Sequence, residues 1–155
     1  MSPNILDVAS FLIKEHEDMS TMKLQKLCYF SQGWALVWTE EPLFEEDFEA
    51  WASGPVSRTL YNEHASHYSI SVIAGGDSTA LSEDQKLIVR AVLGINYHMS
   101  GLQLGELSRM GNPWKAAREG TPKDSPSTEI ITKDSIKNYF SLLAVREADK
   151  NYRVA

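Results

Sequence analysis

The stretch from Met22 to Val56 constrains the fold more than any other, because aromatic, acidic and turn-forming residues follow one another there with almost no filler. It opens on Met22-Lys-Leu-Gln-Lys-Leu-Cys-Tyr-Phe-Ser-Gln-Gly-Trp34. Leu24, Leu27, Cys28, Ser31, Trp34, Ala35 and Trp38 recur at three-and-four spacing, which predicts a helix with Thr21 as its N-cap. On this reading Lys23, Gln25 and Lys26 form the exposed side, and Trp34 and Trp38 belong to the core. Gly33 costs a helix interior about 1 kcal/mol relative to Ala, so its presence predicts that another element packs closely there. Glu40-Glu41-Pro42 ends the helix. Phe48-Glu-Ala-Trp51 is too short for a helix of its own and is followed by Ser53-Gly54-Pro55, which predicts a short strand that turns sharply.

Charge is distributed unusually across the same stretch. No Lys or Arg occurs from Cys28 to Ser57, whereas Glu40, Glu41, Glu45, Glu46, Asp47 and Glu49 place six carboxylates within ten positions. A one-signed surface speeds encounter with an oppositely charged partner and selects for it. Glu45, Glu46, Asp47 and Glu49 are therefore candidates for charge complementarity, with Phe44 or Trp51 as an apolar anchor. The competing reading places the aromatics in the core and leaves the carboxylates in water as a solubility device.

A chain of 155 residues with 43% hydrophobic content supports one domain with a real core. Its net charge of −6 argues against nucleic-acid binding, which needs Lys and Arg to neutralise phosphates. The single Cys28 cannot form an intramolecular disulfide and fits a reducing cytosol. No apolar run approaches about 18 residues, and the start lacks the basic and cleavage-site features of a signal peptide. A soluble cytoplasmic protein without membrane contact is expected.

Elsewhere the periodicity predicts a helix from Ile5 to Glu15 capped by Asn4, broken by the polar residues from His16 to Ser20. Val56, Leu60, Tyr61 and His64 share helical spacing, and residues 69–80 read as a mobile surface loop. Ser82-Glu-Asp-Gln85 has the form of a capping box, ahead of an apolar face of Leu87, Ile88, Ala91, Val92 and Ile95. A further capped helix runs from Ser100 to about Met110. Asn112-Pro113-Trp114 starts a short helix with Asn112 as cap. Glu129-Ile-Ile131 is a candidate strand partner for Phe48–Trp51, and Thr132 caps a last helix carrying Ile136, Tyr139, Phe140, Leu143 and Val145. The expected fold is a compact, mainly α single domain of about six helices with a minor two-stranded β element, occupying residues 1–145, followed by a flexible tail over 146–155.

Catalytic chemistry finds little support. His64 and His67 lie three apart beside Glu63, but a zinc site needs three or four ligands, and His16, Cys28 and His98 have no spacing that completes one. There is no nucleophile elbow, and Gly75-Gly76 lacks a phosphate-loop continuation. No catalytic residue, metal or cofactor is expected, and the chain is read as a non-enzyme.

Leu24-Gln-Lys-Leu-Cys-Tyr-Phe-Ser-Gln-Gly-Trp34, Pro42-Leu-Phe44, Phe48-Glu-Ala-Trp51, Gly54-Pro-Val56, Leu60-Tyr61 and Pro113-Trp114 together resemble the Panacea domain of bacterial and prophage antitoxins, including the SocA-type proteolytic adaptor. The resemblance spans roughly Ile5 to Phe140. It implies an antitoxin of a type II toxin–antitoxin system that neutralises a growth- or translation-inhibiting toxin, usually encoded next to it, by direct protein contact. Gln25, Lys26, Tyr29, Gly54, Pro55 and Trp114 match the family pattern and are assigned to architecture. Ser108-Arg109 stands where the family pattern has Thr-His, so no role of that histidine carries over. An alternative from the same family is an adaptor that delivers the toxin to an ATP-dependent protease. An alternative from another class is a small hydrolase or metalloenzyme.

Overall fold

The computed structural model describes residues 3–154, with side-chain surroundings through Ala148. In chain order the elements are α1 (Ile5–His16), β1 (Met19–Ser20), α2 (Thr21–Thr39), β2 (Phe48–Trp51), β3 (Gly54–Val56), α3 (Arg58–His64), β4 (Ser69–Ile70), α4 (Glu83–Ile95), α5 (Gly101–Arg109), α6 (Asn112–Ala117), β5 (Ile130–Ile131) and α7 (Lys133–Val154). The fold is mainly helical, as the periodicity predicts. The predicted pairing of the Phe48 and Glu129 regions is present: β2 and β5 are antiparallel, with Phe48 opposite Ile131 and Glu49 opposite Ile130. The same sheet gains β3 on the other side of β2, and β1 pairs with β4 in a second small sheet.

Capping follows the residue chemistry. The side chains of Asn4, Ser82 and Ser100 each accept the N3 backbone N–H, and each of these residues donates its own backbone N–H to the N3 side-chain oxygen. Thr132 Oγ1 accepts the Ser135 N–H at 3.1 Å at the start of α7. Two caps fall one residue earlier than predicted. Ser20, not Thr21, caps α2, and Thr21 instead turns its hydroxyl to the carbonyls of His67 and Tyr68. Gly111, not Asn112, precedes α6.

The central element is α2, which packs against α1, α3, α4, α5, α7 and β3. An amphipathic helix with Lys23, Gln25 and Lys26 in solvent is therefore not what forms: all three are buried. Packing on most sides leaves these three polar side chains no solvent face, so each finds a partner inside, whereas the buried Ser31 hydroxyl finds none among the described residues. At Gly33 α7 comes close to this helix. A Cβ built there would lie 2.5 Å from the Phe140 ring of α7, and the ring fills the missing side chain's space. Tyr29, Phe48 and Phe140 meet edge to face around this point.

The outer helices depart from prediction in which face they bury. On α4, Ile88, Val89, Val92 and Leu93 enter the core, while Leu87, Ala91 and Ile95 stay outside. Trp34 packs on the core, but Trp38 at the end of α2 is 49% exposed. The stretch 69–80 lies mostly at the surface, as expected, with Ile73 buried and the Asp77 N–H donating to Asp7 Oδ1 at 2.8 Å. Helix α7 continues past Val145 to Val154. Side chains beyond Ala148 lie outside the described residues, and so does the expected flexibility of most of the tail.

Candidate partner-binding surface

The segment from Leu43 to Ser57 is held to the molecule by polar side chains of α2. Gln32 closes a two-bond ring on the loop, donating to Phe44 O and accepting the Leu43 N–H, both at 2.7 Å. Gln25 repeats the arrangement two turns earlier, accepting the Ser57 N–H at 2.8 Å and donating to Ser57 O at 3.1 Å. The same amide lies 3.0 Å from His64 Nε2, and burial pushes the His64 imidazole below its ordinary pKa. Between the glutamines, Lys26 Nζ donates to Pro55 O at 3.0 Å.

Three further donors complete a cage around the turn from β2 to β3. Trp114 Nε1 donates to Trp51 O at 2.7 Å, Arg118 Nη1 to Ala50 O at 2.9 Å, and Arg109 Nη1 to Ala52 O at 3.4 Å. Arg118 also donates through Nη2 to the carbonyls of Pro122, Lys123 and Ser125, and its guanidinium stacks on Trp114. Gly54 is required twice over. Its φ of +119° lies in the region that favours glycine, and a Cβ would stand 2.8 Å from Ser108 Oγ and 3.0 Å from Lys26 Cε.

Lys26 is 1% exposed and forms no ion pair among the described residues. Burial, with repulsion from Arg109, pushes its ammonium down to about 7. Among the described residues the Pro55 carbonyl is the one hydrogen-bond acceptor at this charge.

Strand alternation in β2 sends Phe48 and Ala50 inward and keeps Glu49 and Trp51 at the surface. Glu49 accepts Trp51 Nε1–H at 2.9 Å and pairs with Arg58 at 2.9 Å, and this Arg58 bond holds its carboxyl below the usual range. Trp51 lies edge-on to Tyr61 at 4.9 Å, with the Arg58 guanidinium 5.0 Å over its ring. These residues and the 124–128 loop line a cleft of about 460 Å³.

The other candidates do not gather there. Asp47 pairs with Lys133 at 2.8 Å, and Lys133 also donates to Glu45 O. Glu46 Oε1 accepts the Ile5 N–H at 3.0 Å, satisfying an otherwise open donor at the start of α1. Glu40 lies 3.8 Å from Lys137. The side chains of Glu41 and Glu45 are exposed and form no hydrogen bond or ion pair among the described residues. Phe44 is 0% exposed, between α2 and Phe48, and presents no surface to a partner, leaving Trp51 as the apolar member. The field is thus mixed rather than one-signed. Arg58, Lys133 and Lys137 arrive from α3 and α7, which the basic-free run from Cys28 to Ser57 conceals.

The metal reading has no geometry behind it. His64 is buried against Gln25, while His67 is exposed beyond the end of α3. The described residues contain no group of three or more His, Cys, Asp or Glu able to hold a metal ion. Cys28 is fully buried and its thiol is pushed well up, which makes it inert. Among the described residues no helix is long and apolar enough to cross a membrane.

Sequence reasoning missed the cage. Gln25 and Gln32 lie seven residues apart, two turns on one face of α2, and polar residues repeating at that interval within an aromatic helix are a readable signal of buried bonds. Arg118 carries no such signal, because one acceptor, Ala50 O, lies 68 residues away in β2 and the others lie in the irregular loop that directly follows α6.

These features define a mainly helical domain whose central helix holds a clamped hairpin and, before it, a surface loop, with carboxylates in part paired with basic side chains of α3 and α7. The chain belongs to the antitoxin SocA-like, Panacea-domain family, whose model matches residues 24–115. No curated protein and no solved structure matches it.

Proposed function

We propose that this protein is the antitoxin of a type II toxin–antitoxin pair. It neutralises a growth- or translation-inhibiting toxin by direct protein contact in the cytoplasm, without catalysis of its own. The observation that carries this reading is the family match over residues 24–115. The rigidly held hairpin supports it, because a preorganised surface loses little entropy on binding. On this reading the contacts come from two neighbouring parts of the chain, Glu45 and Asp47 on the loop before β2 and Glu49 and Trp51 on β2 beside Arg58. Glu46 and Phe44 fix the loop that carries them, Glu46 through the Ile5 amide and Phe44 through the core.

The test is growth of a host expressing the adjacent open reading frame, with and without this chain. Arrest by the neighbour alone and rescue on co-expression is the expected result. A harmless neighbour, or arrest without rescue and without co-purification, removes the reading.

A further inference from the structure

An apolar groove of about 730 Å³ lies on another part of the surface. Helix α2 forms its floor through Tyr29, Phe30, Trp34 and Trp38, while α5, α7 and the end of α4 form its walls. Trp34 and Trp38 stack at 5.2 Å along one side. Trp38 at 49%, Leu107 at 39% and Ile95 at 73% exposure are large apolar side chains that the fold leaves in water. Contiguous apolar surface of this kind marks an interaction site. The apolar surface extends along α4, where Leu87 and Ala91 share the exposed face of Ile95.

The charges around the groove specify what it accepts. Among the described residues Glu147 is the one charged residue that lines it. The last turns of α2 and α4, both of which border it, contain no basic side chain, so their partial negative ends are uncompensated from within. Glu40 and Glu41 follow Trp38 in the chain; Glu40 lies 3.8 Å from Lys137 of α7, whereas the Glu41 side chain has no ion-pair partner among the described residues. A second copy of a chain of net charge −6 would bring more negative charge to this rim. The floor runs from Tyr29 to Trp38, about 14 Å at 1.5 Å per residue, or some two and a half helical turns.

We propose that this groove binds an amphipathic helix of a partner protein. The apolar stripe of that helix packs on Trp34, Trp38, Ile95, Leu107 and Leu143, and its Lys or Arg residues face Glu147 and the ends of α2 and α4. That the partner is the toxin rests on the antitoxin reading above. The groove's preference for a cationic helix does not.

Two experiments separate the claims. The full chain is titrated calorimetrically with a helical Leu/Ala/Lys peptide of about 18 residues and with its Lys-to-Glu counterpart, and methyl NMR locates the contact. The Lys peptide should bind and shift the Ile95, Leu107 and Leu143 methyls, with the Glu peptide at least tenfold weaker. Ile95→Asp and Trp38→Ala, both at exposed positions that leave the core intact, should each weaken binding at least tenfold, and Glu147→Lys should weaken the Lys peptide while improving the Glu peptide. Equal binding of the two peptides, no binding, shifts confined to the Glu45–Trp51 region, or a concentration-dependent dimer that Ile95→Asp abolishes would each overturn the proposal. In the growth assay, failed rescue by wild type rejects the antitoxin reading alone. Rescue by wild type and equally by Ile95→Asp shows that the toxin does not use the groove.

Discussion

Lys26 shows how a single residue can serve geometry at the expense of stability. Its ammonium is held by Pro55 O with no counter-ion, and burial lowers its pKa from 10.5 to about 7. Below about 7 both folded and unfolded chains hold the proton, and the full desolvation penalty applies. As pH rises from about 7 towards 10.5, the folded state sheds the proton first and the penalty fades. Lys26→Met removes this dependence. The stability of the variant minus that of wild type should therefore be greatest below neutrality and shrink as pH rises, and a pH-independent difference in urea midpoints would refute the assignment. Gly33 makes the opposite case. Alanine would gain about 1 kcal/mol of helix propensity, but its Cβ would sit 2.5 Å from the Phe140 ring. Overpacking costs about 1–3 kcal/mol, so Gly33→Ala should be net destabilising in denaturant melts, with Phe140→Leu in the same chain relieving part of the loss.

At the scale of elements, the β2–β3 hairpin is too short to be stable alone and owes its shape to donors from α2, α5, α6 and the residue after α6. Arg118 is the most heavily committed of these, bonding four carbonyls from a buried position. Arg118→Lys keeps the charge but cannot reproduce the planar fork, and a loss on the order of 3 kcal/mol follows from bonds of this charged type. Arg109→Lys, whose contact is a single 3.4 Å bond, should cost far less. Chemical denaturation of the two variants side by side checks the ranking, and equal losses would show that the fork geometry is immaterial.

Across the whole molecule, the antitoxin reading predicts that the acidic excess acts on encounter more than on the fold. Charge reversal at Glu45, which makes no ion pair among the described residues, should leave the melting temperature within about a degree or two of wild type. The same change should slow association with the toxin severalfold at low salt, an effect that fades near physiological ionic strength. Stopped-flow rates at two salt concentrations decide this, and a rate indifferent to both charge and salt would place the interface elsewhere. Asp47→Lys is a less clean probe, because it also removes the partner of Lys133.

The local alphabet determined the helices. Asn4, Ser82 and Ser100 cap where their side chains can reach back to the N3 amide, the β2–β5 pairing follows from two short apolar runs, and Gly33 announced a close neighbour. Tertiary structure alone decided which faces those helices bury. The enclosure of α2 turned Lys23, Gln25 and Lys26 inward, and the packing of α4 left Leu87 and Ile95 outside. It also decided the electrostatics of the acidic loop, because Arg58, Lys133 and Lys137 are brought from other elements to carboxylates that stand alone in the sequence. Periodicity is a property of one element and can be read from its residues, whereas burial and charge pairing depend on what the remainder of the chain places opposite them.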